Sequence, residues 1–389
     1  MFCGHLCLGD NHRWRTPLRI APAVSFALVL DAGSALASQS LVETSAGQMH
    51  VDLVASGLDE PWGIDFLPDG SFLVTERGGA IKRFAAPGAE AALVSGGPEV
   101  EVDGQGGLLD IMIPQDFATS REVWLTYSEP RSAGAVTAVG KAVLSADGST
   151  LEGFTPVFSI PEGASGGRHF GSRLVEAPDG TLFLTVGDRG TGPRGLEAQD
   201  PMRGEGKVIH LTRDGQPATV LPGALPGVYS WGHRNAQGAT LDLEGRLWIV
   251  EHGARGGDEL NAPEAGRNYG WPIITYGENY NGRAIGEGSA KDGMEQPVHY
   301  WDPSIAPSGL LVYSGSLIPD WRGDIFFGSL NSDYLGRLDP DSPAETGFAE
   351  ERISSDETLR VRDVVEAPDG SIWFLSVLNS AAYRMAPGG

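Results

Sequence analysis

Residues 177–188, APDGTLFLTVGD, set an Asp-Gly pair directly ahead of a short run of alternating apolar side chains that stops at Gly187-Asp188. Glycine reaches positive φ without a Cβ clash, so an acidic residue followed by glycine ahead of such a run marks a hairpin turn. The pattern recurs along the chain as LPDGSFLVTER from Leu67, SREVWLTYSEP from Ser120, LEGRLWIVEHG from Leu243, RGDIFFGSL from Arg322 and APDGSIWFLSV from Ala367, roughly 45 to 80 residues apart. Six related units at such intervals are the signature of a β-propeller, in which each unit buries its faces against its neighbours around a ring. The expected fold is therefore all-β: one six-bladed propeller of four-stranded antiparallel blades over residues 40–386. In keeping with this, glycine (55) and proline (26) are abundant, and no helical periodicity longer than about ten residues follows the N-terminal segment. Loops between blades meet near the axis, and chemistry is expected there.

The chain has 389 residues, 41% hydrophobic and 20% charged, with a formal net charge of -23. A surface this acidic repels nucleic acid and anionic membranes, which argues against both as partners. In the N-terminal segment Arg13, Arg15 and Arg19 precede IAPAVSFALVL, and SALAS then offers a small-x-small cleavage site after Ala37. Residues 1–37 thus read as an export signal, which places the mature chain in the periplasm or outside the cell without membrane insertion. Cys3 and Cys7 are the only cysteines, so the mature chain is expected to hold no disulfide or thiolate metal site.

Several loops carry polar residues that folding alone does not require. DGQGGLL sets Gln105 among glycines, RHFG sets His169 in a glycine-rich loop, and GHRNAQG sets Arg234 beside Asn235. EHGARGGDELN offers main-chain oxygens at Gly253 and Ala254 with Asp258 and Glu259 nearby, a donor type that suits calcium. The spacing is not that of an EF-hand. LRVRDV alternates Arg360 and Arg362 with apolar residues, which predicts both guanidinium groups on one face of a strand. Such a pair needs either carboxylates of a bound ligand or acids on a neighbouring strand. No phosphate loop, dinucleotide-binding glycine pattern or H-E-x-x-H sequence is present, which argues against nucleotide and zinc-peptidase chemistry.

Taken in order, GQGGLL, HFGSRL, VGDRG, GHRNAQG, EHGARGGDELN, AGRNYGWP, DPSIAPSG and RVRDV resemble the soluble quinoprotein glucose and sorbosone dehydrogenases. The likeness is greater to the bacterial aldose sugar dehydrogenases that use pyrroloquinoline quinone (PQQ), and it runs from about Val54 to Tyr383. The resemblance implies that His169 is the general base acting on the anomeric hydroxyl, with Asp188 hydrogen-bonded to it. It also implies that Arg234 faces the quinone carbonyl, and that Asn235 and Gln105 hold cofactor or substrate. On the same basis Gly253 and Ala254 bind the calcium (Ca2+) that also meets the quinone, and Glu259 and Tyr269 bind a second calcium. Tyr280 and Ser304 are further implied cofactor contacts, and Arg360 and Arg362 neutralise the cofactor carboxylates. Asn331 stands where the family usually has a lysine, so it offers a hydrogen bond without a charge.

The implied activity is oxidation of an aldose to its lactone, with electrons passing to an external acceptor and the protein a monomer or homodimer. Two other classes stay open from the residues alone. A propeller hydrolase or lactonase would need several acidic or amide side chains converging on one ion, and a non-catalytic sugar-binding propeller would need no base.

Overall fold

The computed structural model describes residues 39–161, 166–190 and 195–388; the expected export segment, residues 1–37, lies outside them. Six antiparallel sheets follow one another along the chain, each strand pairing with the next in sequence, and together they form a six-bladed β-propeller. The blades span 61–93, 108–159, 174–231, 236–301, 307–353 and, last, 361–387. The sixth is completed by the N-terminal strand Gly47–Ser56, which pairs with Ala381–Pro387, and Gln39–Thr44 adds a fifth strand outside it. Joining the two ends of the chain within one sheet closes the ring without leaving a gap between first and last blades.

Each of the six repeats found in the sequence is the second strand of its blade: Phe72–Glu76, Glu122–Glu129, Leu182–Val186, Leu247–Glu251, Ile325–Ser329 and Ile372–Ser376. The Asp-Gly and Glu-Gly turns before them place Gly70, Gly180, Gly245 and Gly370 at φ between 79° and 83°, where any other residue would be strained. Although the runs alternate in polarity, the second strands are buried on both faces, because each blade is sandwiched between two neighbours. The apolar core is accordingly divided into wedges. Trp124 and Val139 of the second blade pack with Leu182 and Ile209 of the third, and Trp248 of the fourth packs with Phe327 of the fifth.

Polar positions in these second strands join neighbouring blades. The Thr75 hydroxyl donates to Leu109 O at 2.5 Å, Thr126 to Ser172 O at 2.8 Å and Thr185 to Ala236 O at 3.1 Å. Each hydroxyl also accepts an amide from its own blade's inner region: Gly63, Asp110 and Arg173 respectively. A buried hydroxyl used as both donor and acceptor avoids the desolvation penalty of an unpaired polar group.

The first strands of the blades surround the axis, and Arg173 reaches across it from the third blade. Its guanidinium binds Asp110 Oδ1 at 2.7 Å and Asp363 Oδ1 at 2.8 Å, and its Nε donates to Gln237 O at 2.8 Å. The two carboxylates extend the network, accepting amides from Leu174 and Ile64. Burial pushes the Asp110 carboxyl up to about 6 against the opposing pull of Arg173, and it pushes Asp65, further along the axis, up to about 7.

Removing the cation would leave two buried carboxylates without a counter-charge. Arg173→Leu is expected to cost about 3–5 kcal/mol at pH 8 in denaturant unfolding, the usual result of breaking a buried ion pair. The cost should shrink at pH 5. A carboxyl whose folded-state pKa is raised gives its full stabilisation below its unfolded-state pKa and loses it as pH rises through the folded value. A loss under about 1 kcal/mol at pH 8 would contradict the role of Arg173 as the axial tie.

Candidate active site

Where the inter-blade loops converge at one end of the axis, they enclose a cavity of about 920 Å³. The loops are held in strained conformations: His169 (φ 57°), Ala306 (52°) and Arg360 (50°) line the cavity with positive φ. Backbone strain of this kind persists only where the surrounding structure over-determines it.

His169 lies in the loop before Leu174–Glu176, and Asp188 follows Leu182–Val186, the strand that pairs with it. The hairpin therefore brings the two side chains together, with His169 Nδ1 2.6 Å from Asp188 Oδ1. Asp188 also accepts the Gly190 amide at 2.8 Å and, through Oδ2, the Trp271 indole N–H at 2.8 Å. Burial, the largest single influence, would raise this carboxyl, but the His169 hydrogen bond, the His169 and Arg234 charges and the Gly190 amide together hold it below its ordinary value. An ionised Asp188 fixes Nδ1 as the protonated nitrogen and leaves Nε2 with a lone pair. For the imidazole itself, burial dominates: together with the Arg234 charge it lowers the pKa, against the upward pull of Asp188. The His169 amide is anchored on Gln105 Oε1 at 2.9 Å, so Gln105 supports the base loop as well as lining the cavity.

Arg234, Arg360 and Arg362 also line the cavity. Their guanidinium groups bind neutral acceptors: Arg234 holds His252 O at 3.1 Å, Arg360 holds Leu330 O at 2.9 Å, and Arg362 holds Gln237 Oε1 at 2.8 Å. No carboxylate among the described residues pairs with any of the three. Arg234 Nε is buried without a partner, its guanidinium lying 5.2 Å from the Trp271 ring centroid. Burial, followed by Arg360 and Arg173, pushes the Arg362 guanidinium down. Burial, Arg234 and Arg362 together lower His252 to about 3. At the mouth the situation is reversed, since Arg77 pairs with Glu60 and Arg255 with Glu278. The uncompensated charge deep in the cavity suits a ligand with several carboxylates, and PQQ has that character.

The predicted arginine pair does not arise from strand alternation. The strand begins at Val361, Arg360 precedes it in a left-handed conformation, and the register shifts between Val361 and Asp363. The turn, not the pleat, aims Arg360 at the cavity.

Gly253 and Ala254 line the cavity, and among the described residues no donor is hydrogen-bonded to either carbonyl oxygen. The Gly253 amide donates to Asp258 Oδ1 at 2.7 Å, and a Cβ on Gly253 would stand 2.1 Å from Gly256 O. The loop thus requires glycine at that position, and the free oxygens fit a hard cation. Among the described residues no three His, Cys, Asp or Glu side chains converge on a metal position, so main-chain oxygens would have to dominate.

Asn235, Glu259 and Tyr269 do not line this cavity. Asn235 is fully buried, its Oδ1 accepting the Gly171 amide at 3.3 Å while its Nδ2 has no partner. Glu259 lies across Asn261 from Glu251, and burial followed by Glu251 raises it to about 8. An acid in that state is one a cation would relieve. Tyr269 stacks on His233 and spends its hydroxyl on Ala262 O at 2.8 Å. Tyr280 is 75% exposed at the cavity mouth. Ser304 donates its hydroxyl to Asp258 Oδ2 at 2.8 Å, and Asn331 donates its amide to Ser304 O at 3.1 Å; both line the cavity while tying down the loop.

Several residues of the site carry no local sequence signal strong enough to single them out. Trp62 lines the cavity with Arg173 4.4 Å from its ring centroid and Arg362 at 5.5 Å. Trp271, Gln237 and His252 were within quoted motifs, but only the assembled ring shows what they touch.

The fold and this site define a six-bladed propeller with a His–Asp pair facing a cation-lined axial cavity. Residues 58–383 match the glucose / sorbosone dehydrogenase family. The chain is 40% identical over 340 residues to the aldose sugar dehydrogenase YliI of Escherichia coli, covering 84% of this chain and 90% of that protein. It is also similar to the crystal structure of the soluble aldose sugar dehydrogenase of E. coli in its apo form, with a TM-score of 0.80, 38% identity, and coverage of 87% of this chain and 98% of that one. The PQQ-bound aldose sugar dehydrogenase of Streptomyces coelicolor matches with a TM-score of 0.71 at 27% identity, over 87% of this chain and 98% of that one. The chain belongs to the glucose / sorbosone dehydrogenase family and is a sugar oxidoreductase.

The electrostatics of the pair are open to direct test. His169 is expected to titrate below pH 6.5 by NMR in the free protein. Asp188→Asn should lower that pKa further, because the carboxylate is the neighbour that favours the protonated ring. Titration above 6.5 in the wild type would overturn this account of the site.

Proposed function

We propose that this protein is an exported, calcium- and PQQ-dependent aldose sugar dehydrogenase that oxidises the anomeric carbon of a sugar to the lactone. The observation that carries the reading is the 2.6 Å contact between His169 and Asp188 at the edge of a cavity lined by three arginines that have no carboxylate partner among the described residues. His169 Nε2 receives the proton of the anomeric hydroxyl, while Asp188 holds the ring in the required tautomer and stabilises the imidazolium that forms. Arg360 and Arg362 bind the carboxylates of the cofactor, and Arg234 places positive charge where negative charge develops during hydride transfer. When bound, PQQ supplies the two-electron acceptor, which no side chain of this chain can provide.

Gly253 and Ala254 hold the catalytic calcium through their main-chain oxygens, and a calcium there would polarise the carbonyl it touches. A second calcium belongs with Glu259 and Tyr269, where it neutralises the buried acid. Gln105 and Asn235 keep the base loop in place beneath the ligand, and Tyr280, Ser304 and Asn331 form the outer contacts. With Asn331 uncharged, Arg360 and Arg362 carry the cofactor's carboxylates without the help of a lysine. Electrons leave to an external acceptor in the periplasm or outside the cell. Export is supported by SALAS at 34–38 and by the confinement of both cysteines to the segment before it.

Adding calcium and PQQ to purified protein should produce dye reduction with aldoses, and no such rate with either omitted. His169→Ala should leave cofactor titration unchanged and lower turnover by about two to four orders of magnitude, with Asp188→Asn acting in the same direction but less severely. A His169→Ala protein with more than about a tenth of wild-type turnover would refute the assignment. Chelation should lower the melting temperature and calcium restore it, since a cation at a hundredfold excess over its dissociation constant adds about 2.7 kcal/mol. A melting curve indifferent to both would remove calcium from the proposal.

A further inference from the structure

Gln237 occupies a position that neither the base nor the arginines explain by themselves. It lies two residues beyond Asn235, in the first strand of the fourth blade (Ala236–Leu241), is 7% exposed and lines the cavity. Its side-chain oxygen accepts from Arg362 Nη1 at 2.8 Å. Its Nε2 donates to Gly171 O at 3.2 Å and to Asn235 Oδ1 at 3.1 Å. Asn235 Oδ1 in turn accepts the Gly171 amide at 3.3 Å. One amide group therefore connects an arginine of the anion-binding end to both polar groups of Gly171, two residues beyond His169.

The surroundings give this connection little freedom to slacken. Arg173 holds Gln237 O at 2.8 Å through Nε and Arg362 O at 3.3 Å through Nη2, so the main chains of the two partners are fixed from beneath by one guanidinium. On the other side, a Cβ added to Gly171 would stand 2.9 Å from Gly187 N and Thr185 O, so the base loop rests directly on the strand that leads to Asp188. A change in the Arg362 side chain can thus reach the loop through the Gln237 amide, whose two ends face the two elements.

We propose that Gln237 is a positioning residue that couples occupation of the anion-binding end to the order of the base loop, so that the ligand that engages Arg362 also fixes His169 against Asp188. The inference rests on the proposed roles of Arg362 and His169. Physically, a carboxylate that takes up the remaining donors of Arg362 restricts that side chain. The Oε1 contact then restricts the Gln237 amide, and its Nε2 restricts Gly171. Asn235 provides a parallel arm to the same residue.

The test reads the loop without turnover, so that it can fail independently of the proposed reaction. In the wild type, saturating PQQ with calcium and no sugar should slow amide hydrogen exchange across residues 169–172 by about tenfold or more, as local opening of the loop becomes less favourable. In Gln237→Met, titrated to full PQQ occupancy by its absorbance, that protection should be lost while protection elsewhere on the ring persists. Gln237→Glu keeps an acceptor for Arg362 but faces Gly171 O and Asn235 Oδ1 with an oxygen, and it should lose the protection too; it carries the test if the methionine variant does not fold. With sugar added, kcat at saturating PQQ should fall about tenfold with little change in KM, as a displaced base requires. Equal protection in wild type and both variants, or wild-type kcat in a fully loaded variant, would overturn the coupling. Wild-type protein that binds PQQ and orders the loop yet oxidises no sugar would instead sink the proposed function and leave the coupling standing.

Discussion

Arg173 reaches from the third blade into the middle of the ring, where its guanidinium meets Asp110 of the second blade, Asp363 of the sixth and the main chain of the fourth. Ile64 of the first blade donates its amide to Asp363, and Ser308 of the fifth donates its hydroxyl to Val361 O at 2.6 Å. The network therefore touches every blade. Wedges of apolar side chains between neighbouring blades provide the bulk of the burial, but they are non-directional and fix only nearest-neighbour packing. The axial network adds direction. It specifies how far each inner strand is inserted and with which carboxylate facing inward.

The same guanidinium links that constraint to the site. Trp62 lies against it at 4.4 Å, and the main-chain oxygens of Gln237 and Arg362 are held by it. Above this floor the charge balance changes abruptly: Arg173 has two carboxylates, whereas among the described residues the guanidinium groups of Arg234, Arg360 and Arg362 have amide and carbonyl acceptors only. A protein carrying a net charge of -23 has acids in excess, so the lack of guanidinium–carboxylate pairs for these arginines among the described residues is a feature of the cavity rather than of the composition. Cations in that condition favour an anionic ligand, and together with burial, the larger influence, they lower the pKa of His169 and His252.

Strain is concentrated in the same place. His169, Ala306 and Arg360 adopt left-handed conformations, and Gly253 is so closely surrounded by carbonyl oxygens that no side chain fits. His169 and Gly253 are each tied to a second strand buried on both faces, His169 through Asp188 after Leu182–Val186 and Gly253 two residues after Leu247–Glu251.

The number of blades and the apolar strand within each repeat were legible in the sequence, because each depends on local chemistry, a glycine at positive φ and an apolar run, whereas the pairing of His169 with Asp188 came from the family resemblance and is a contact of 2.6 Å in the structure. The arginine pair was legible as a demand for counter-charge, although a turn rather than strand alternation aims Arg360. Arg173, Asp110 and Asp363 were not legible, even though HFGSRL and RVRDV had been singled out. Their partners are 63 and 190 residues apart in the chain, and nothing local distinguishes a buried acid from a surface one. The hydroxyls of Thr75, Thr126 and Thr185 left a trace, a threonine at a fixed place in three of the repeats, whose meaning appears only when the next blade supplies the acceptor. Local sequence thus determined the units and their turns. Closure of the ring decided which polar groups would meet at the axis, because only closure brings six inner strands to a common centre and removes the water that would otherwise satisfy them.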